Sequence, residues 1–219
     1  VSGAPKVIGE HIVTVEDRGE ARALVVDNVQ ISSSDIQIRS LIHCDNKGVV
    51  TAVSENPLEQ HIMHFDLDGK ATQLSKGAGV HDAVSNGSLT VIQSRSMDFD
   101  GVQTSIYIKN VQIAEVEDRS ENPVITLNAN FHTLGERSLE TVVLFPLNHD
   151  NSTPLPVILD PYGGPHAQRV RSARGLFGVS QWFADQGFAV IVTDGRGTPG
   201  RSPAFERDIY GDLASAALE

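Results

Sequence analysis

Two short apolar runs, each leading into a glycine-rich turn, constrain this chain more than anything else in it. Pro156 to Pro165 reads PVILDPYGGP and Ala189 to Gly200 reads AVIVTDGRGTPG, with an amphipathic segment between them. Uninterrupted runs such as Val157-Ile158-Leu159 and Val190-Ile191-Val192 suit strands covered on both faces, the mark of a parallel sheet. Leu176, Val179 and Phe183 share one helical face ahead of Gly187, so the spacing predicts a helix over Leu176 to Gln186. Strand, helix and strand make one right-handed βαβ crossover. Its turns carry Tyr162, Gly163, Gly164, Asp194 and Arg196 to the carboxyl ends of the strands, where open α/β sheets bind ligands.

The first part of the chain has a different period. His11 to Glu16, Ala21 to Val26, Ile38 to His43, Val49 to Ser54, His61 to Leu67, Leu89 to Ser94 and Gln103 to Ile108 alternate as short strands. Asp17 to Glu20, Asp45 to Gly48, Asp68 to Lys70 and Ser85 to Gly87 punctuate them as turns. Such spacing indicates a sandwich, barrel or propeller, and HIMHFDLDGKATQLS has the cadence of one propeller blade. A second region opens near Ile125 with a strand in Ser138 to Leu147, and Ser202-Pro203 and Asp212 are helix starts. The expected fold is mixed: an all-β partial propeller over 1–124, then the first part of an α/β-hydrolase domain over 125–219.

Composition narrows the partners. A net charge of −11 without clustered Lys and Arg argues against nucleic acid. No apolar stretch approaches the roughly 20 residues that span a bilayer, and the first residues lack a signal pattern, so no membrane partner and a cytoplasmic location are expected. A single cysteine, Cys44, leaves no intramolecular disulfide to form. His61 and His64 are three apart and fall on opposite faces of a strand, so no shared metal is expected, and no cofactor motif is present. Ser33-Ser34 and Ser94-Arg95-Ser96 lack the elbow of a nucleophile. Asn86-Gly87-Ser88 and Asn151-Ser152-Thr153 read as turns.

DPYGGPH, SQWFADQGFAV, TDGRGTPGRSPAFER and YGDLA, at residues 160–166, 180–190, 193–207 and 210–214, resemble the opening of the α/β-hydrolase domain of the prolyl oligopeptidase family of serine peptidases (S9), in its dipeptidyl-peptidase-IV-like branch. SENPLEQHIMHFDLDG at 54–69 resembles a late blade of that family's propeller. The resemblance implies a Ser-Asp-His peptidase that removes dipeptides from peptide N-termini, often after proline or alanine. It places the serine elbow beyond Glu219, so the expectation is a piece cut before its nucleophile and inactive alone. Its exposed strand edges would self-associate. Of the family's chemical groups only Tyr162 carries over, as a phenol donor in the oxyanion hole. Gly163, Gly164 and Pro165 are expected to shape its loop, Asp194 and Arg196 to form a salt-bridged turn or contact substrate, and His166 to lie outside the triad. Glu16-Asp17 and Glu115 to Asp118 do not match the glutamate motif that holds the substrate amino terminus in this branch, and read as solvated turns. An oligopeptidase or acylaminoacyl-peptidase of the same superfamily, and a noncatalytic binding protein, remain open alternatives.

Overall fold

The computed structural model describes residues 4–150, 152–162 and 167–218. Among the described residues, sixteen strands form four sheets of four, taken nearly in chain order. The first sheet holds β1 (Lys6–Ile8), β2 (His11–Arg18), β3 (Ala21–Val26) and β4 (Val29–Gln30). The second holds β5 (Gln37–Asp45), β6 (Gly48–Ser54), β7 (His61–Phe65) and β8 (Ala71–Gln73). The third holds β9 (Val80–Ser85), β10 (Leu89–Arg95), β11 (Gln103–Ile108) and β12 (Val111–Val116). All three are antiparallel meanders, the form of successive propeller blades.

Why the blades stack is legible in β6. Every residue of Gly48–Ser54 is buried. Val49 and Val53 pack with Val13, Leu24 and Ile38 toward the first sheet, whereas Val50 and Ala52 pack with Ile62, Ile92 and Tyr107 toward the third. Side chains alternate across a strand, so a middle blade needs apolar residues at both parities. Gly48 has φ +138 and faces the His64 ring and the Phe65 carbonyl, which leaves no room for a Cβ.

The fourth sheet is mixed, in the order β13 (Ala129–Leu134), β14 (Leu139–Leu144), β16 (Ala189–Asp194), β15 (Val157–Tyr162). The crossover between β15 and β16 runs through a short 3₁₀ turn, Arg174–Phe177, and helix α1 (Gly178–Asp185). Gly187, at φ +100, ends the helix as the sequence predicts. The buried face of α1 is not the one its apolar spacing suggests. Leu176, Val179 and Phe183 are exposed, and Phe177, Ser180, Gln181 and Ala184 face the sheet instead. Gln181, with no exposed surface, accepts the Asn128 N–H at 2.8 Å and donates to the Phe145 carbonyl at 3.0 Å, which makes it an interior residue despite its polarity.

Helix α2 (Pro203–Arg207) begins where the sequence indicates, with Ser202 Oγ accepting the Phe205 N–H at 3.2 Å. Asp212 likewise caps α3 (Leu213–Leu218) through the Ser215 N–H. Among the described residues, no helix is long and apolar enough to cross a membrane, and no three His, Cys, Asp or Glu side chains are grouped to hold a metal ion. The whole is a partial propeller followed by the opening strands and helix of an α/β domain.

Candidate active site

Tyr162 is the last residue of β15 and is half-buried. It pairs in parallel register with Asp194, the last residue of β16. Both therefore stand at the carboxyl edge of the parallel pair, the place where α/β sheets gather ligands. Gly163, Gly164, Pro165 and His166 lie outside the described residues.

The chain next described, from Ala167, returns to the same edge. Arg169 closes a two-pronged ion pair on Asp160, Nη1 to Oδ1 at 3.1 Å and Nη2 to Oδ2 at 2.6 Å. The Arg169 and Val170 N–H groups donate to the two oxygens of Asp194 at 2.8 and 3.0 Å. Asp194 is 4% exposed. Burial raises its pKa, while the two N–H donors and the Arg169 charge pull it the other way. The expected salt-bridged turn is thus corrected in part, because the partners of Asp194 are backbone groups. Arg196 does form an ion pair, with Asp208 at 3.4 Å.

Residues 168–174 also bind the propeller. Gln168 donates to the Pro57 carbonyl, and the Ser172 N–H to the Leu58 carbonyl at 2.7 Å. Arg171 reaches Gln60 Oε1 at 3.1 Å, and Arg174 meets Asp100 at 2.7 Å. No motif or period in the sequence marks Gln168, Arg169 and Arg171 as site residues. The only signal for them was a run of polar residues just after a motif, which by itself has no period to interpret.

Other sequence candidates disperse. His61 meets His81 in a tilted ring pair with centroids 5.3 Å apart, while His64 and His43 line a separate cavity of about 250 Å³ between the second and third sheets. Ser94 Oγ is bonded to His81 and Ser96 Oγ to the Asp98 N–H. Ser33 Oγ donates to Asp35, and Ser34 Oγ accepts from Gln30. Cys44 is a partly buried free thiol whose pKa is pushed up by burial. Glu16 and Asp17 correct the expectation of a turn: they lie in β2, where Glu16 pairs with Arg18 and Asp17 with Arg22 and Arg207. Glu115 is likewise within β12, and Glu117 pairs with Arg119 outside it.

Residues 176–219 match the profile of the Prolyl oligopeptidase family. The chain is 27% identical over 164 residues to a probable dipeptidyl-aminopeptidase B of Arthroderma gypseum, covering 67% of this chain and 18% of that protein. It is 34% identical over 73 residues to dipeptidyl peptidase family member 1 of Caenorhabditis elegans, covering 33% of this chain and 9% of that one. It therefore spans less than a fifth of either relative. The fold resembles that of Porphyromonas gingivalis dipeptidyl peptidase 4, with a TM-score of 0.79 at 20% identity over 92% of this chain and 31% of that one. A putative dipeptidyl aminopeptidase IV from Bacteroides ovatus matches with a TM-score of 0.72 at 18% identity, covering 91% and 34%. Profile, relatives and fold agree with the DPYGGP and DGRGTPGR motifs, and together they support a dipeptidyl-peptidase-IV-like fragment of the prolyl oligopeptidase family.

Proposed function

We propose that this chain serves a serine exopeptidase that removes dipeptides from peptide N-termini, after proline or alanine, and that Tyr162 donates its phenol hydrogen to the oxyanion. The observation that carries this reading is the position of Tyr162 at the carboxyl end of β15, beside Asp194. When a nucleophile adds to the scissile carbonyl, the C=O π pair moves onto oxygen, and a fixed donor there lowers the barrier by about 3 kcal/mol. The dipeptidyl peptidase names of the relatives support the substrate class.

On this reading, residues 1–124 belong to the propeller and 125–219 open the catalytic domain. The sequence holds no Gly-x-Ser-x-Gly elbow. The nucleophile, its acid and its histidine then come from the rest of a longer cytoplasmic protein, and this chain alone hydrolyses nothing. Isolated, it associates with itself through strand edges.

The test compares this chain with the full-length protein on Xaa-Pro and Xaa-Ala chromogenic dipeptides, with a Tyr162→Phe variant of the latter. Turnover only in the full-length protein, falling about a hundredfold in the variant, is expected. Inhibitor-sensitive turnover by this chain alone would refute the division of labour. Cleavage of N-blocked peptides in place of free dipeptides would move the assignment to an oligopeptidase.

A further inference from the structure

Tyr162 stands in register with Asp194, beside a set of linked contacts made by Asp160, Arg169 and Asp194. Side chains two apart on a strand share a face, so Asp160 and Tyr162 project from the same side of β15. Asp160 holds the Arg169 guanidinium in the two-pronged pair. The main chain of Arg169 and Val170 is held in turn by Asp194, and Asp194 is the register partner of Tyr162. Residues 169 and 170 are thus held on the carboxylate of the residue beside Tyr162. A carboxylate as buried as Asp194 is costly unless its oxygens are occupied, and here one backbone donor occupies each. The returning segment is fixed on its far side too, by Ser172 on Leu58 and Arg171 on Gln60.

A fold needs none of this at a strand end, where chains usually depart with few restraints. An oxyanion donor does need it, because a misplacement of about 1 Å can cost about a hundredfold in rate. We infer that Asp160, Arg169 and Asp194 form a brace that positions Tyr162, and that they are positioning residues for the reaction proposed above; the inference rests on that reading of Tyr162. The brace couples the catalytic edge to the propeller through residues 171 and 172, so the donor takes its alignment from both parts of the chain.

The experiment uses the full-length protein with Arg169→Met, Arg169→Lys and Asp194→Asn, each also carrying a fluorinated tyrosine at 162 read by fluorine NMR. Arg169→Met should lower kcat about ten- to a hundredfold while KM moves less than about threefold, and Arg169→Lys, which keeps the charge but not the two-pronged grip, should recover part of the loss. In a Tyr162→Phe background, Arg169→Met should add little, because the group it aligns is gone. The fluorine signal should shift or broaden in Arg169→Met and Asp194→Asn. Equal losses of kcat in both backgrounds, or a fluorine signal unchanged in both variants, would overturn the brace. Full activity of Tyr162→Phe would instead overturn the role of the tyrosine, and the fluorine signal would still decide whether the brace holds its side chain. Asp194→Asn keeps one acceptor oxygen and Arg169→Lys keeps the backbone intact, so a fold-competent variant remains if Arg169→Met does not fold.

Discussion

The Arg22 guanidinium grips the Glu206 carboxylate with two nitrogens, at 2.9 and 3.1 Å, and so joins strand β3 of the first sheet to helix α2 across 184 residues of chain. Each side chain is only about a fifth exposed, at 22% and 21%. Glu206 also accepts the Gly200 N–H at 3.2 Å, and Arg22 shares Asp17 with Arg207. The charges form a relay from the propeller to the loop that follows β16.

Removing one member of such a pair leaves the other poorly solvated. Glu206→Gln should destabilise the chain by about 1–3 kcal/mol, measured by urea unfolding. Arg22→Met should cost a similar amount, and the double variant should cost less than the sum by about 1 kcal/mol or more. Additive losses would show that the two ends are independently held.

Gly200 illustrates a second constraint on the same loop. Its φ is +97, and a Cβ there would run into the Arg39 guanidinium. Arg39 is itself uneasy: burial lowers its pKa to about 10, nearby Arg171 adds to that, and its Nη1 is buried with no hydrogen-bond partner among the described residues. Gly200→Ala should cost about 2 kcal/mol or more, backbone strain and collision together. Arg39→Met should be near neutral or stabilising, because it removes a desolvated cation. A large loss of melting temperature in Arg39→Met would show that Glu206 compensates the charge more than its position suggests.

The strands were readable because their reasons are local. Turns such as Asp45-Asn46-Lys47-Gly48 and Ser85-Asn86-Gly87 set the hairpins, and β3 and β11 have the bounds that alternation predicts. The short returning strand of HIMHFDLDGKATQLS is β8, whereas β1, β4, β9, β12 and β13, which the local pattern does not mark, are short, polar or at sheet edges, where pairing with a neighbour supplies what that pattern lacks. The carboxyl edge carrying Tyr162 was legible from motif and strand order. The partners of Asp194 were not, because backbone N–H groups brought in by a returning loop leave no mark on composition or period.

Helix α1 shows the same limit and gives a test. The apolar stripe of Leu176, in the turn before it, and of Val179 and Phe183 within it faces outward, and Gln181 fills the interior with bonds to Asn128, Phe145 and Asp185. Gln181→Leu should therefore destabilise by about 2 kcal/mol, because the Asn128 N–H and Phe145 carbonyl lose their partner. Val179→Gln should stay within about 0.5 kcal/mol of the parent. Thermal unfolding of the two variants side by side decides the orientation of the helix.

His81 makes stability depend on pH in one direction. It is 1% exposed, its Nδ1 is 2.8 Å from Ser94 Oγ and its Nε2 is 3.2 Å from the Gly77 carbonyl. Burial lowers its pKa below the ordinary 6.5, with His61 adding to the effect, while the Gly77 carbonyl, Glu59 and Asp82 oppose it. The unfolded chain then takes up a proton at higher pH than the folded one. The stabilisation is whole above the unfolded value and is lost as pH falls below it, at up to about 1.4 kcal/mol per unit. Unfolding free energy should fall more steeply between about pH 7 and pH 5 in the parent than in His81→Gln. Parallel slopes would assign the acid sensitivity to other groups.

The self-association proposed above can be placed on particular residues. Strand β15 closes one edge of the fourth sheet with Val157 56% and Leu159 69% exposed, and β12 closes the third with Val111, Ile113 and Val116 exposed. Such edges offer unpaired N–H and C=O groups beside apolar side chains, the combination that recruits another strand. A charge placed there is solvated in the monomer and must be desolvated in the associated form, so it penalises association alone. Leu159→Lys and Ile113→Lys should each shift the chain toward monomer in sedimentation or light scattering, with monomer stability changed by less than about 0.5 kcal/mol. An effect of Leu159→Lys but not Ile113→Lys would assign the contact to the fourth sheet, and a parent that is monomeric at every concentration would dismiss the edges as a route to assembly.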